Sequence, residues 1–313
     1  MILEDYKNLP DRAYVDDYCE TYKRPRLIVL CGVPGSGKST YAVNKTINDT
    51  SIVWLSSDAF REKLYGDANC QDNPGKVFEA MQEETVKALN NGFDVIYDAT
   101  SITRKARAGI LNIVPKHVQK CCVVIWAPID ICIERDKARS RTVGKEVIDK
   151  MLKRFEAPFY DEGFDTILVH ISDVHYSKEQ YHDDVVTAMI IDHDNPHHTA
   201  NVIDHCYLCG DTLVNDKTIP DIVVKAGYYH DIGKPYTKTF TNTKGEPTDT
   251  AHYYGHQGVG AWISYGFYGH SITLAWLIST HMAPFVNQKY YNSLSPCYKK
   301  WIDALHNADK AAH

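Results

Sequence analysis

Short apolar runs recur along the first half of the chain, with helical patterns between them. The runs are Leu27–Cys31, Ile52–Leu55, Phe93–Tyr97, Cys121–Trp126 and Thr166–Ile171. They are rich in β-branched residues and nearly continuous in apolar character, as in strands covered on both faces. Helical spacing fills residues 38–48, 75–91, 103–114, 129–138 and 146–154. Strand and helix in strict alternation predict an α/β unit, a parallel sheet with helices on both sides. After Ile171 the pattern changes. Residues 173–194 are polar and acidic with one apolar stretch, and read as a connector that includes a helix. From Asn195 onward the chain reads as helical, with turns near Gly210, across Lys234–Thr250 and near Pro284. The division expected is an α/β domain over 1–172, a connector over 173–194 and an all-α domain over 195–313.

Length and bulk composition agree with two globular domains: 313 residues, 44% hydrophobic and 24% charged. The distribution of residue types is more informative. Fourteen of the 15 histidines lie after residue 165, and all ten arginines lie before residue 155. Residues 1–172 carry 24 Lys+Arg against 25 Asp+Glu, and residues 173–313 carry 10 against 15. Two different chemistries on one chain are expected. Nine cysteines without a repeated spacing argue against a disulfide framework and for a reducing cytoplasm. Cys206-x-x-Cys209 is a lone pair and is expected to be buried thiols rather than a zinc site. Met1–Pro10 is too acidic and too poor in apolar residues for a signal peptide. Gln257–Gln288 carries no Asp, Glu, Lys or Arg, yet it holds His270, His281, Gly266, Gly269 and Pro284. Helices packed around a buried polar site account for that mixture better than a membrane span.

The first run leads directly into Gly32-Val33-Pro34-Gly35-Ser36-Gly37-Lys38-Ser39-Thr40, a match to G-x-x-x-x-G-K-[ST] in its strand–loop–helix context. Gly35 and Gly37 let the backbone curl so that successive N–H groups, those of Ser36 through Thr40 among them, point at phosphate oxygens. The helix that follows adds its positive end. Lys38 is expected to reach the β- and γ-phosphates of ATP, and Ser39 to ligate Mg²⁺. The second run ends in Ser56-Ser57-Asp58, where an acid is placed to take a proton from an attacking hydroxyl. Arg61, one helical turn on, is a candidate for an acceptor phosphate. The third run ends in Asp98-Ala99-Thr100, with Asp98 at the position of a Mg²⁺-associated acid. Arg104, Lys105 and Arg107 follow, at a spacing that could face a nucleic-acid backbone. The string Arg135–Arg141 reads as a mobile lid that places an arginine on the transferring phosphoryl group.

Taken together, these motifs resemble a phage-type polynucleotide 5′-kinase over roughly residues 25–172. The resemblance implies that Asp58 is the general base for a 5′-hydroxyl and that Arg61 contacts the acceptor strand. It implies that Arg139 is the lid arginine, with Arg135 beside the nucleotide, and that Thr100, Arg104 and Arg107 lie along the acceptor.

In the second half the central string is Tyr229-His230-Asp231-Ile232-Gly233-Lys234-Pro235. His205 lies 25 residues before His230, His256 lies 25 after Asp231, His281 is 25 further, and Asp309 is 28 beyond that. If each interval is a helix plus a turn, imidazoles and carboxylates converge in a helical bundle. Such a ligand mix suits Mn²⁺, Fe²⁺, Co²⁺, Ni²⁺ or Zn²⁺. These residues resemble the HD superfamily of metal-dependent phosphohydrolases. The resemblance implies a minimal ligand set of His205, His230, Asp231 and Asp309, with His256 and His281 as the further histidines of two-metal members. His252 competes with His256, and Asp303 with Asp309. Lys234 offers a cation to the substrate phosphate, and His197 and His198 are placed to hold or protonate a departing sugar oxygen.

A kinase followed by a phosphohydrolase looks like a nucleic-acid end-healing enzyme. One domain adds a 5′-phosphate, and the other removes a 3′-phosphate or a 2′,3′-cyclic phosphate. Opposite phosphate reactions on one metabolite would be futile, whereas on the two ends of a break they are complementary. The expected partners are single-stranded RNA or DNA ends, RNA favoured, and a ligase downstream, in a bacterial or phage-infected cytoplasm. The alternative is a small-molecule kinase fused to a nucleotide phosphohydrolase.

Overall fold

The computed structural model describes residues 24–70, 72–172, 175, 177–195, 200–267 and 271–312. The α/β half runs β1 (Arg26–Cys31), α1 (Lys38–Thr46), β2 (Ile52–Ser56), α2 (Ser57–Tyr65), α3 (Pro74–Asn90) and β3 (Asp94–Asp98). It continues with α4 (Arg104–Leu111), β4 (Gln119–Trp126), α5 (Ile129–Lys137), α6 (Lys145–Lys153) and β5 (Thr166–Ile171). The sheet order is β2-β3-β1-β4-β5, with every pairing parallel. Alternation along each strand divides its side chains between two cores. Leu27, Val29, Cys31, Cys122, Val124 and Trp126 face one side, and Ile28, Leu30, Cys121, Val123 and Ile125 face the other with Tyr41 and Ala42 of α1.

The second half contains α7 (Lys178–Ala188), α8 (Val202–Val214), α9 (Asp221–Tyr229), the hairpin β6 (Thr239–Thr241) and β7 (Pro247–His252), and α10 (His256–Ser264). Then follow α11 (Ile272–Thr280), α12 (Ala283–Val286), α13 (Gln288–Ser293) and α14 (Pro296–Ala311). Side-chain caps set several helix starts, among them Thr103 before α4, Asn201 before α8, Ser271 before α11 and Ser295 before α14.

Two local expectations are corrected. Gly210 lies inside α8 rather than at a turn, because α9 passes so close that a Cβ there would run into the Tyr228 ring. The span Lys234–Thr250, expected as a turn, holds most of a two-stranded hairpin. The turn expected near Pro284 is present at residues 281–282, and Pro284 sits in the first turn of α12, where its missing N–H is harmless.

The two halves share one apolar core. The face of the sheet bearing Trp126 belongs to the same buried cluster as Trp262, Trp276 and Leu305. The Trp126 indole donates to the Trp262 carbonyl at 2.7 Å, and the Trp262 indole donates to the Ala127 carbonyl at 3.1 Å. Phe159 stacks on Trp276 with ring centroids 4.2 Å apart. The connector helix α7 is wedged in by Tyr181, whose ring meets both Trp126 and Phe267 edge-on. The charge-free stretch after His256 is thus explained by burial: all of α10 but Gln257 is buried. Among the described residues no helix is long and apolar enough to cross a membrane.

Candidate active sites

The first site lies at the carboxyl ends of β1, β2 and β3. Gly35 and Gly37 have φ of +80° and +104°, a region that L side chains rarely enter. A Cβ on Gly35 would also collide with the Cys132 carbonyl. The Ser39 hydroxyl donates to Asp98 at 3.2 Å, so the two expected Mg²⁺ residues are already side by side. The Lys38 ammonium donates to the Val33 carbonyl at 3.0 Å, curled over the loop. Burial is the largest influence on both charges: it lowers the Lys38 pKa and raises that of Asp98, each resisted by the other's charge. The exposed Thr40 follows in the first turn of α1, and Ser36 is buried with its hydroxyl unpaired.

Asp58 is not the cap of α2. That role belongs to Ser56, whose hydroxyl accepts from the Asp58 backbone N–H at 3.3 Å. The Asp58 carboxylate is left open to solvent and is gripped by Arg61 and by Arg141, each at 2.8 Å. Arg61 keeps a buried Nε–H without a partner, an available donor beside the acid. Arg141, rather than Arg139, reaches Asp58 from the lid. Arg139 is exposed, and its charge contributes to lowering the Lys38 pKa. Arg135 donates to Ser172 at 2.6 Å next to Gly37. The lid turn is tied at its base by buried Asp136, which accepts from the backbone N–H groups of Val143 and Gly144 at 3.1 and 2.9 Å.

Two expected acceptor contacts are corrected. The Arg107 side chain is fully buried and pairs bidentately with Glu162 at 2.7 and 2.8 Å, so it braces the fold. Arg104 pairs bidentately with Asp161 at 3.0 Å and lies 4.1 Å above the Tyr290 ring. Thr100 uses its carbonyl to accept from the Gly32 N–H at 3.0 Å, which fixes the loop after β3 against the P-loop.

The second site is buried among α8, α9, α10, α11 and α14. His205 comes from α8, His230 and Asp231 follow α9, His256 opens α10, His281 follows α11 and Asp309 stands in the last turns of α14. The Nδ1 atom of each histidine faces a backbone carbonyl: Ala312 for His205, Gly227 for His230, Tyr253 for His256 and Ile278 for His281. A carbonyl can only accept, so Nδ1 carries the proton and Nε2 turns its lone pair inward. The inward nitrogens then meet in two pairs, His205 with His230 and His256 with His281, each 3.2 Å apart. Two lone pairs at that distance repel unless a cation lies between or beside them. Asp309 joins the first pair at 2.9 and 3.4 Å. Asp231 serves both, with Oδ2 3.3 Å from His230 and Oδ1 3.3 Å from His256. The donors thus form two groups, His205/His230/Asp309 and Asp231/His256/His281, with Asp231 as the bridge. This set fits one or two divalent transition metals.

Burial, reinforced by the neighbouring imidazoles, pulls the His281 pKa down to about 3, so it stays neutral and available as a ligand. His252 and Asp303 lie outside both groups. His252 stacks on Tyr254 with Nε2 unpaired, and Asp303 accepts a hydrogen bond from the Tyr291 hydroxyl. Cys206 approaches His230 from the Nδ1 side at 3.9 Å, and therefore cannot share a metal with Nε2. His197 and His198 lie outside the described residues.

Gly233 allows the loop after His230-Asp231 to lie on α10, since a Cβ there would run into the His256 carbonyl. Lys234 is thereby brought back to Asp231 Oδ2 at 2.6 Å. Its other partner, His193, carries no signal in the sequence. His193 donates from Nδ1 to the Ala200 carbonyl and accepts from the Lys234 ammonium on Nε2 at 3.1 Å. Burial, then the charge of Lys234, lowers its pKa to about 4, which preserves that acceptor. Trp54 is a second such residue, donating from its indole to Asp98 at 3.2 Å.

The chain carries a P-loop kinase-type domain followed by an HD domain. Residues 27–158 match the sequence model of the AAA domain, and residues 197–308 match that of the HD domain. Among curated proteins, L-seryl-tRNA(Sec) kinase of Methanococcus maripaludis is 27% identical over 146 residues, which are 42% of this chain and 53% of that protein. Transcription factor bHLH140 of Arabidopsis thaliana is 29% identical over 158 residues, 47% of this chain and 16% of that one. The chain therefore spans about half the length of the first relative and a small part of the second. Among solved structures, a chain of the Pnkp1/Rnl/Hen1 RNA repair complex aligns with TM-score 0.39 and 22% identity, over 44% of this chain and 46% of that one. A fungal RNA kinase aligns with TM-score 0.37 and 15% identity, over 52% and 86%.

Proposed function

We propose that this protein heals broken nucleic-acid ends, RNA in preference to DNA. The α/β half phosphorylates a 5′-hydroxyl from ATP, and the HD half removes a 3′-phosphate or 2′,3′-cyclic phosphate. One observation carries the reading: a single chain holds a P-loop facing an arginine-gripped acid and, separately, a bridged His/Asp metal cradle. The first adds a phosphoryl group, and the second suits hydrolysis of one. A hydroxyl carried on RNA is also the acceptor suggested by the name of the archaeal relative.

In the first site the P-loop N–H groups and Lys38 hold the β- and γ-phosphates, and Ser39 with Asp98 would hold Mg²⁺. Asp58 takes the proton of the attacking hydroxyl. Arg61 donates its spare Nε–H to the acceptor, and the lid brings Arg139 and Arg135 to the phosphoryl group. In the second site His205, His230, Asp231, His256, His281 and Asp309 would hold the metal. A metal there supplies a hydroxide from water near neutral pH and charge neutralisation at phosphate. Lys234, held between Asp231 and His193, presents a fixed cation to the substrate phosphate.

The test is γ-labelled ATP offered to a 5′-hydroxyl oligoribonucleotide and to free nucleosides. Label is expected on the oligonucleotide. Label on the nucleosides alone would replace this reading with a small-molecule kinase fused to a nucleotide phosphohydrolase.

A further inference from the structure

A cleft of about 380 Å³ lies where the two halves meet, within the size range of small-ligand pockets. Its walls come from the start of α4, the end of α6 and the elements beside the second site. It contains none of the metal-cradle side chains, yet it runs close to both sites. Gln257 on its wall follows His256, Thr280 precedes His281, and Thr103 closes the loop that begins at Asp98.

The charge of the cleft is opposite to that of the chain. Its charged lining is Arg104, Lys105, Lys153, Arg154 and Glu156, four cations against one anion, in a protein of net charge −6. Arg104 is neutralised by Asp161, and Glu156 already accepts the Arg104 backbone N–H at 2.7 Å. Among the described residues, Lys105, Lys153 and Arg154 make no ion pair. Three cations on a concave, partly low-dielectric wall repel one another and focus a positive potential into the space between them. An extended anion relieves that repulsion. A single anionic group would satisfy one cation, whereas a chain of phosphodiesters can meet cations on both the α4 and α6 walls.

We infer that this cleft binds the sugar–phosphate backbone of the single strand whose end is being processed. The inference rests on the end-healing reading and adds a strand path between the two sites. The binding is electrostatic and independent of base sequence, because the cations address phosphates.

The test uses the full chain, a labelled single-stranded oligonucleotide and the double variant Lys105→Ala/Arg154→Ala. Both side chains are exposed, and an unchanged Tm verifies the fold. Affinity is expected to fall about tenfold at low salt. The slope of log K against log salt is expected to become shallower by about 1.4, roughly 0.7 for each phosphate that the variant no longer neutralises. A Lys105→Arg/Arg154→Lys variant, which keeps both charges, is expected to retain the wild-type slope. Wild-type affinity and slope in the alanine variant would overturn the cleft, as would failure of the wild type to bind. If the alanine variant loses binding but the wild type phosphorylates no oligonucleotide, the cleft stands and the end-healing reading falls. If the wild type phosphorylates the oligonucleotide and the alanine variant binds it as well as the wild type, the end-healing reading stands and the cleft falls.

Discussion

Asp98 sits almost buried at the end of β3, where Ser39, Trp54 and Lys38 give its charge only part of the support that water would give. Its pKa is raised above 3.8 by burial, so between 3.8 and its native value the folded state binds more protons than the unfolded one. Stability therefore falls as pH rises through that window. Asp98→Asn keeps an acceptor for Ser39 and Trp54 while removing the charge. It is expected to raise the Tm of the ligand-free protein at pH 7, by roughly 2–4 °C for each kcal/mol relieved. The gain is expected to vanish near pH 3, and Mg²⁺-dependent ATP binding is expected to disappear. Calorimetry with and without Mg·ATP measures both effects. In the second site, His193→Phe removes an acceptor from Lys234. The phosphohydrolase rate is expected to fall about tenfold, as when a group that positions the substrate is set loose, with the kinase rate intact. The P-loop and the His-Asp string are legible because their chemistry is local in the chain. Trp54 and His193 are not, since each meets its partner across more than forty residues and only packing brings them together. Arg107 misleads for the same reason: a basic residue on a helix looks solvated until Glu162 is seen beneath it.

The strands of the α/β half are legible because runs buried on both faces have no polar alternation to blur them. Helix lengths are less so, as their ends depend on caps such as Ser56 and Thr103. In the second half the regular spacing of the ligands marks the bundle, whereas the hairpin β6–β7 is short and polar and carries no apolar period. Gly210 shows how a glycine misleads. Its small size serves the packing of α8 on α9, not a turn. Gly210→Ala is expected to destabilise the protein by about 1–3 kcal/mol, the usual cost of overpacking. Denaturant titration measures it. Because α8 and α9 carry His205 and lead into His230, metal affinity is expected to fall together with stability. An alanine variant as stable as wild type would show that α8 and α9 separate freely.

Across the whole molecule, the two halves bury Trp126 and Trp262 against each other and exchange indole hydrogen bonds. The apolar cluster is continuous through that interface, so the chain is expected to unfold in one calorimetric transition rather than two. The halves are joined in folding, yet no metal-cradle residue comes from the α/β half and no P-loop residue from the HD half, so their reactions are expected to be separable. The most direct test is one substrate with both ends open to reaction. An oligoribonucleotide with a 5′-hydroxyl and a 3′-phosphate is incubated with ATP, Mg²⁺ and Mn²⁺, and both ends are read after reaction. Wild-type protein is expected to add the 5′-phosphate and remove the 3′-phosphate. Lys38→Ala is expected to do only the second, and Asp231→Ala only the first. Loss of both reactions in either folded variant, or a wild-type protein that leaves both ends unchanged, would contradict two independent end-healing sites on this chain.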